Sequence, residues 1–242
     1  MSAYLVDGYH METAATAPVS ERVAFIRRTY AHVAGAAAAF IGLSVALQVS
    51  GVAEQVMLQL FSSKLAWLGL MALFIAGTWV AHSMAYARSN VGVQYAGLAL
   101  YVGLYTLLFT PILTLASQPK YGGTPELPLQ AGIVTLAVFG GLTVAVFASG
   151  RDFSFLGPIL WVCSLAALGL ILAAVLFNFS LGLVFCTAMV ALFAAYIVYD
   201  TSNIIHHYGT HEHVAASMAL FGSAAMLFYY ILRIFLIARN SD

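Results

Sequence analysis

The chain has 242 residues, of which 62% are hydrophobic and 7% are charged, and its formal net charge is zero. Soluble domains have about a quarter of their residues charged, so this composition excludes an ordinary soluble protein and indicates an integral membrane protein. The balanced charge also argues against a nucleic-acid partner.

A polar segment precedes the first apolar run. Residues 1–28 end with Arg22, Arg27 and Arg28, and they lack the charged start and apolar core of a signal peptide. We therefore predict that residues 1–28 form a flexible cytoplasmic N-terminal tail. Residues 29–242 are then the transmembrane domain.

Seven apolar runs follow, each close to the 20 or so residues that a helix needs to cross a bilayer. They lie near residues 29–52, 65–87, 92–116, 129–149, 156–177, 180–200 and 214–238. The fifth and sixth runs are so close together that six spans with a re-entrant segment is an alternative. The pattern predicts an all-α membrane protein with seven transmembrane helices.

Basic residues are distributed unequally between the two ends of these predicted spans. If the tail is inside, the inner side holds the tail arginines with Arg88 and Arg151, and the outer side holds Lys64, Lys120 and Arg239. Cytoplasmic loops are enriched in lysine and arginine. We therefore predict a cytoplasmic N-terminus and a C-terminus on the outer side.

Asp200 lies at the end of the sixth apolar run. An acid at membrane depth costs roughly 2.5–3.5 kcal/mol on insertion scales, so Asp200 is the first candidate functional residue. We expect it to pair with Arg88 or Arg151 and to close a gate at the inner side. Burial disfavours a charged carboxylate and a nearby arginine favours it, a balance that allows titration near physiological pH.

Asp152 follows the fourth span and is a second candidate for this pH-sensitive site. The alternative is that Asp152 and Asp200 are both interfacial acids, with Asp152 or Ser154 capping the fifth span. The sequence leaves both interpretations open.

Residues 206–213 contain four of the seven histidines of the chain, namely His206, His207, His211 and His213. Clustered histidines are candidates for metal binding, but their spacing is not that of a closed structural zinc site and no cysteine accompanies them. A solvated loop is the preferred interpretation, and we expect no metal or other cofactor.

Three segments resemble the Bax inhibitor-1 family of membrane proteins. They are residues 97–104 in the third span, residues 151–157 after the fourth and residues 199–205 at the end of the sixth. The resemblance extends over most of the chain from Arg28 onwards. It implies seven helices with the last one central and surrounded by the others.

Some members of that family are pH-sensitive calcium leaks, in which acids of the sixth and seventh spans form a pair that an arginine of the second span latches. Asp200 corresponds to the first acid and Arg88 to the latch, but Ser223 stands at the position of the second acid. Calcium prefers several oxygen ligands with negative charge. The loss of one carboxylate therefore weakens the expectation of a calcium leak.

The serine and the polar tail are more similar to the bacterial YccA branch of the family, whose members bind and restrain the membrane protease FtsH. The resemblance thus implies a non-enzymatic protein of the bacterial inner membrane that modulates FtsH or a membrane stress response by direct contact. Its tail, with Arg22, Arg27 and Arg28, would be the partner-binding segment. The alternative is a pH-sensitive leak for calcium or another cation, gated at Asp200.

Overall fold

The protein is an α-helical bundle, seen here in a computed structural model that describes residues 13–87 and 90–239. Its helices are α1 (Val19–Val49), α2 (Val52–Ser62), α3 (Lys64–Ala85), α4 (Val91–Ser117), α5 (Glu126–Ser149), α6 (Leu156–Phe177), α7 (Leu183–His206) and α8 (His213–Arg239), with a 3-10 turn at Pro119–Tyr121. Seven of these helices are long and apolar enough to cross a membrane. The prediction of an all-α membrane protein with seven spans is confirmed.

The eighth helix, α2, lies where the sequence analysis placed a break between two spans. It has 11 residues, so it is about 16 Å long and too short to cross a bilayer. Its Glu54 accepts hydrogen bonds from Lys120 at 2.6 Å and from the Tyr121 hydroxyl at 2.8 Å. These contacts hold α2 against the loop that joins α4 to α5.

Helix α1 begins at Val19 rather than near residue 29, so the predicted boundary of the N-terminal tail is corrected. Pro18 immediately precedes the helix, and Glu21 lies in its first turn, where the helix dipole favours an acid. Before the helix, Ala14 is fully buried and its N–H donates to the carbonyl of Tyr208 at 2.8 Å. Residues 13–28 are therefore docked or helical, while residues 1–12 lie outside the described part of the chain.

The interior of the bundle is built around the last helix. Helix α8 packs against α1, α3, α4, α5 and α7, and its buried residues include Leu220, Phe221 and Leu227. Helix α4 shares this interior, and Phe109 contacts rings of both α1 and α8. The central position that the family resemblance implied for the last helix agrees with this packing.

Large apolar side chains cover the outside of the bundle. Trp79, Trp161 and Val184 are exposed by 73%, 64% and 86%. A soluble protein would not expose apolar surface on this scale, but such a surface is stable when lipid surrounds it. The outer faces therefore indicate a bilayer environment.

Candidate functional site

Asp200 and Ser223 form a buried polar pair between the last two helices. Asp200 lies on α7 and Ser223 on α8, and each is only 7% exposed. The Ser223 hydroxyl donates a hydrogen bond to Oδ2 of Asp200 at 2.5 Å. Hydrogen bonds to an ionised acceptor are shorter and stronger than neutral ones. The pair places a titratable group inside the bundle, with one donor aimed at it.

A cavity of about 260 Å³ adjoins this pair. Side chains from five helices provide its polar lining, namely His82, Tyr101, Tyr105, Ser164, Tyr196, Asp200 and Ser223. The two tyrosine hydroxyls of α4 lie 3.2 Å apart, and the Ser164 and Tyr196 hydroxyls lie 2.9 Å apart. A cavity lined by hydroxyls and one carboxylate suits water, protons or a small cation.

Gly222, next to Ser223, lets the two tyrosines of α4 reach this cavity. A Cβ atom at Gly222 would lie 2.9 Å from the Tyr105 hydroxyl and still closer to that of Tyr101. Both separations are below van der Waals contact. Any larger residue at this position would push the tyrosine rings away from Asp200.

Three further hydroxyls lie on the side of α7 that faces α1 and α5. The Tyr30 hydroxyl lies beside the hydroxyls of Thr143 and Thr201, with Asp200 close enough to influence it electrostatically. All three oxygens are buried, and none forms a hydrogen bond of normal geometry with a described residue. Buried hydroxyls are nearly always satisfied by protein or by ordered water. This cluster is therefore a second group of polar atoms near Asp200 that is suited to bind water.

Of the two arginines predicted to pair with Asp200, the structure describes Arg151 but not Arg88. Asp200 forms no ion pair with an arginine or lysine of the described residues. Arg151 is exposed in the loop between α5 and α6, so the expected pairing with Arg151 is not found. Arg88 lies outside the described residues, and its predicted role as a latch stays a prediction.

Asp152 ties the α5–α6 loop to the end of α7. Its Oδ1 accepts the backbone N–H of Ser154 at 2.8 Å, and its Oδ2 lies 3.0 Å from Nε2 of His207. The hydrogen bond from the Ser154 N–H is the main cause that lowers the pKa of Asp152 to about 2, and His207 lowers it further. Ser202 of α7 adds to the attachment by accepting the N–H of Phe153 at 2.8 Å.

These bonds correct one alternative from the sequence analysis. Helix α6 begins at Leu156 and has no side-chain cap at its N-terminus. Neither Asp152 nor Ser154 therefore caps the fifth span. Asp152 lies at the surface and fastens a loop, whereas Asp200 is in the interior.

The candidate metal-binding histidines are separated by the fold. His207 pairs with Asp152, His206 contacts the carbonyl of Ser202 at 2.9 Å, and the ring of His213 packs against that of His32. Within residues 13–87 and 90–239, no three histidine, cysteine or acidic side chains come together in a way that could hold a metal ion. His211 lies in the turn between α7 and α8.

The sequence analysis missed most of the lining of the Asp200 cavity. Tyr101 and Tyr105 are spaced by four residues, which places both on one face of α4. A pair of tyrosines on one face of an apolar helix was the available signal. It does not tell which neighbouring helix the face meets.

The seven apolar helices define a polytopic membrane protein. Its polar site lies in the interior, where Ser223 of the central helix α8 is hydrogen-bonded to the buried Asp200 of α7. The family model described as inhibitor of apoptosis-promoting Bax1 matches residues 22–240. The chain therefore belongs to the Bax inhibitor-1 family, and the resemblance found in the sequence is confirmed at this level.

Several curated proteins are similar to parts of the chain. The BI1-like protein of Arabidopsis thaliana is 42% identical over 113 residues, which are 44% of this chain and 43% of the relative. Bax inhibitor 1 of Schizosaccharomyces pombe is 33% identical over 146 residues, 57% of this chain and 53% of the relative. An uncharacterised protein of Pseudomonas aeruginosa is 34% identical over 139 residues, 57% of this chain and 60% of the relative.

The chain spans about half the length of the curated relatives it matches. No solved structure matches it.

Proposed function

We propose that this family member is a non-enzymatic, pH-sensitive cation leak in which Asp200 and Ser223 control passage through the bundle. The observation that carries the proposal is the buried carboxylate of Asp200, which faces a polar cavity and has a serine as its hydrogen-bond donor. Ionisable residues inside membrane proteins commonly mark ion pathways and proton relays.

The proton and the cation compete for the same carboxylate in this mechanism. When Asp200 is ionised, its charge attracts a cation into the cavity, and the surrounding hydroxyls supply neutral oxygen ligands. When Asp200 is protonated, the described lining of the cavity has no negative charge left. We therefore expect the cation flux to fall on acidification.

Polar groups extend the route from Asp200 toward the α5–α6 loop. The unpartnered hydroxyls of Tyr30, Thr143 and Thr201 lie on that side of α7. A bridging water would satisfy them, because buried waters typically bond to about three polar groups. They support a hydrated path between the buried carboxylate and one end of the bundle.

Aromatic contacts close the route in the other direction. The rings of Phe74 and Tyr105 are 5.0 Å apart, and the rings of Phe193 and Tyr230 stack at 5.9 Å. Tyr105 and Phe193 line the Asp200 cavity, whereas Phe74 and Tyr230 line a larger cavity beyond it. Apolar constrictions gate channels by excluding water, and we propose that these ring contacts hold the route closed.

The ligands around Asp200 favour a monovalent cation or a proton over calcium. Calcium sites use six to eight oxygen ligands, usually with several carboxylates. This cavity offers one carboxylate, and Ser223 replaces the second acid that the family resemblance implies. Calcium leakage is therefore the weaker form of the proposal.

Replacement of Asp200 by asparagine tests the leak. The purified protein is reconstituted in liposomes that contain a potassium, sodium or calcium indicator. The flux is then measured as a function of pH. We expect the D200N variant to lose the pH dependence. The control is E126Q, which removes an exposed acid from the start of α5 and should leave the pH dependence as it is in the native protein. An unchanged pH profile in D200N would contradict the proposed role of Asp200.

We propose restraint of the FtsH protease by direct contact as a second function. The supporting observation is the docked N-terminal segment, in which Ala14 is buried and bonded to Tyr208. A processive unfoldase that pulls on the residues before Thr13 meets this attachment first and the packed helices next. Such a substrate engages the protease but resists extraction.

This second proposal places the protein in a bacterial inner membrane with the N-terminus in the cytoplasm. Thr13 pairs with Gly209, and Asp152 pairs with His207, so the N-terminal segment, the α7–α8 turn and the α5–α6 loop lie at one end of the bundle. Arg22, Arg27 and Arg28 lie in the first turns of α1 near this end. Excess arginine is typical of a cytoplasmic side.

Aspartate substitutions at two neighbouring alanines test the role of the docked segment. Ala14 is buried whereas Ala15 is exposed, so A14D should release the segment and A15D should leave it docked. We expect FtsH to degrade the A14D variant faster, and this variant to protect another membrane substrate less. Equal behaviour of the two variants would remove the docked segment from the mechanism. Flux in liposomes without protease tests the leak separately.

A further inference from the structure

A second, larger cavity lies beyond the Phe74–Tyr105 contact. Its volume is about 620 Å³, within the roughly 300–1,000 Å³ typical of ligand sites. Its walls are mostly apolar and come from α3, α4, α6 and α8, with Trp67 and Ile171 on two of these helices. The volume and the apolar lining of the cavity suit a hydrocarbon chain.

Arg233 of α8 is the charged residue of this apolar lining. It is half-buried, and its Nη2 donates to the carbonyl of Leu181 at 3.3 Å. Arg233 forms no ion pair with an acidic side chain of the described residues. A charge at such a position is costly unless an opposite charge accompanies it, and the guanidinium group binds phosphate with two parallel hydrogen bonds.

Lys64 provides a second positive charge at the edge of the same cavity. Its Nζ lies 3.5 Å from the carbonyl of Leu176, so it connects the start of α3 with the end of α6. Trp67 and Val175, close to these two residues in the chain, belong to the cavity lining. An apolar crevice with two cations near its end is complementary to an amphiphile with an anionic head.

We propose that this crevice binds one anionic phospholipid, with its phosphate at Arg233 and an acyl chain along Trp67 and Ile171. Lys64 lies at the edge of the crevice and adds to the attraction for the headgroup. The site is on the other side of the aromatic constriction from Asp200, so it does not depend on the proposed leak. Arg233 has no acidic partner among the described residues, and the lipid phosphate would supply the opposite charge.

Tryptophan fluorescence provides a direct test, because the three tryptophans differ in position. Trp67 lines the crevice, whereas Trp79 and Trp161 are exposed on the outer faces. A variant with W79F and W161F retains Trp67 as its tryptophan, and it is reconstituted in vesicles that contain brominated phosphatidylglycerol or brominated phosphatidylcholine. We expect the anionic lipid to quench Trp67 roughly fivefold more effectively than phosphatidylcholine. A preference of this magnitude corresponds to the attraction between one cation and an anionic lipid surface.

The charge of Arg233 is then varied in the same background. R233Q should abolish the preference, and R233K should retain most of it, which separates loss of charge from loss of folding. In the matched W67F and W79F protein, Trp161 should be quenched equally by both lipids. Equal quenching of Trp67 by the two lipids, or an unchanged preference in R233Q, would overturn the proposal.

Free phosphate is the competing source of the same chemistry. Addition of inorganic phosphate to the Trp67 protein in phosphatidylglycerol vesicles should leave the quenching unchanged, because the acyl chain contributes to binding. If phosphate removes the preference, the crevice is an anion site and the lipid proposal is wrong.

Discussion

Ser223 donates its hydroxyl hydrogen to Asp200 across the contact of α7 and α8, at the position where the family resemblance implies a second acid. The structure thus confirms that the two positions are neighbours. A serine and a carboxylate share a hydrogen bond without repulsion, whereas two carboxylates at this distance share a proton and titrate as a pair. A serine at this position therefore gives the site a different chemistry from that of an acid pair.

Replacement of Ser223 by aspartate should restore the two-acid site. We expect S223D to increase calcium flux in liposomes, because two carboxylates supply the charge that calcium prefers. Its pH dependence should also change, because the two groups then titrate together. The double variant D200N/S223D has one acid again and should lose the gain. Calcium flux in S223D at the native level would show that the second acid does not limit conduction.

Replacement of Ser223 by alanine should destabilise the protein. Asp200 then loses its donor while it stays buried, a loss that costs about 1–3 kcal/mol. Thermal unfolding in detergent measures the effect. Ser44 is the matched control, because its buried hydroxyl has no partner among the described residues. S44A should therefore unfold at the native temperature or above it.

The attachment of the α5–α6 loop to α7 should weaken at strongly acidic pH. The folded-state pKa of Asp152, about 2, is below its ordinary value of 3.8. The charged form of Asp152 therefore stabilises the loop above pH 3.8, and this contribution is lost as the pH falls through about 2. Hydrogen exchange of residues 151–155 should increase over this range. The D152N variant should show the faster exchange at all pH values, and native-like protection in D152N would contradict the assignment.

The packing of α3 against α4 should be destabilised by a single methyl group at Gly97. A Cβ atom at Gly97 would lie 2.8 Å from the carbonyl oxygen of Ala81, whereas a Cβ at Gly103 of the same helix would meet nothing within 4 Å. Overpacking of this kind costs typically 1–3 kcal/mol. We expect G97A to lower the unfolding temperature and G103A to leave it unchanged or raise it. Equal unfolding temperatures for the two variants would contradict the close approach of α3 and α4.

The seven spans could be predicted from the sequence because a bilayer makes a simple demand on composition. Each span needs about 20 apolar residues, and such runs are visible without any knowledge of packing. Helix α2 was not predicted because it is too short to span a bilayer. Its Glu54 contacts the α4–α5 loop, which is distant in the sequence. The start of α1 was also not predicted, because residues 19–28 carry four charged side chains and yet are helical.

Part of the candidate site was also visible in the sequence. Asp200 stood out because a carboxylate is rare in an apolar run, and Ser223 was located beside it through the family resemblance. Tyr30 and Tyr105 could not be assigned in this way. Tyrosines occur on many helix faces in this chain, and no spacing rule connects residues on different helices.

The sequence by itself determined that the chain has seven apolar spans, that it resembles one family and that Asp200 is the first candidate functional residue. The tertiary structure alone decided that Asp200 meets Ser223, that Asp152 fastens a surface loop and that Arg233 faces an apolar crevice. The physical reason is that lipid and protein interior are both apolar. Hydropathy therefore does not distinguish a helix face that packs in the bundle from one that faces lipid, and only the packing brings these side chains together.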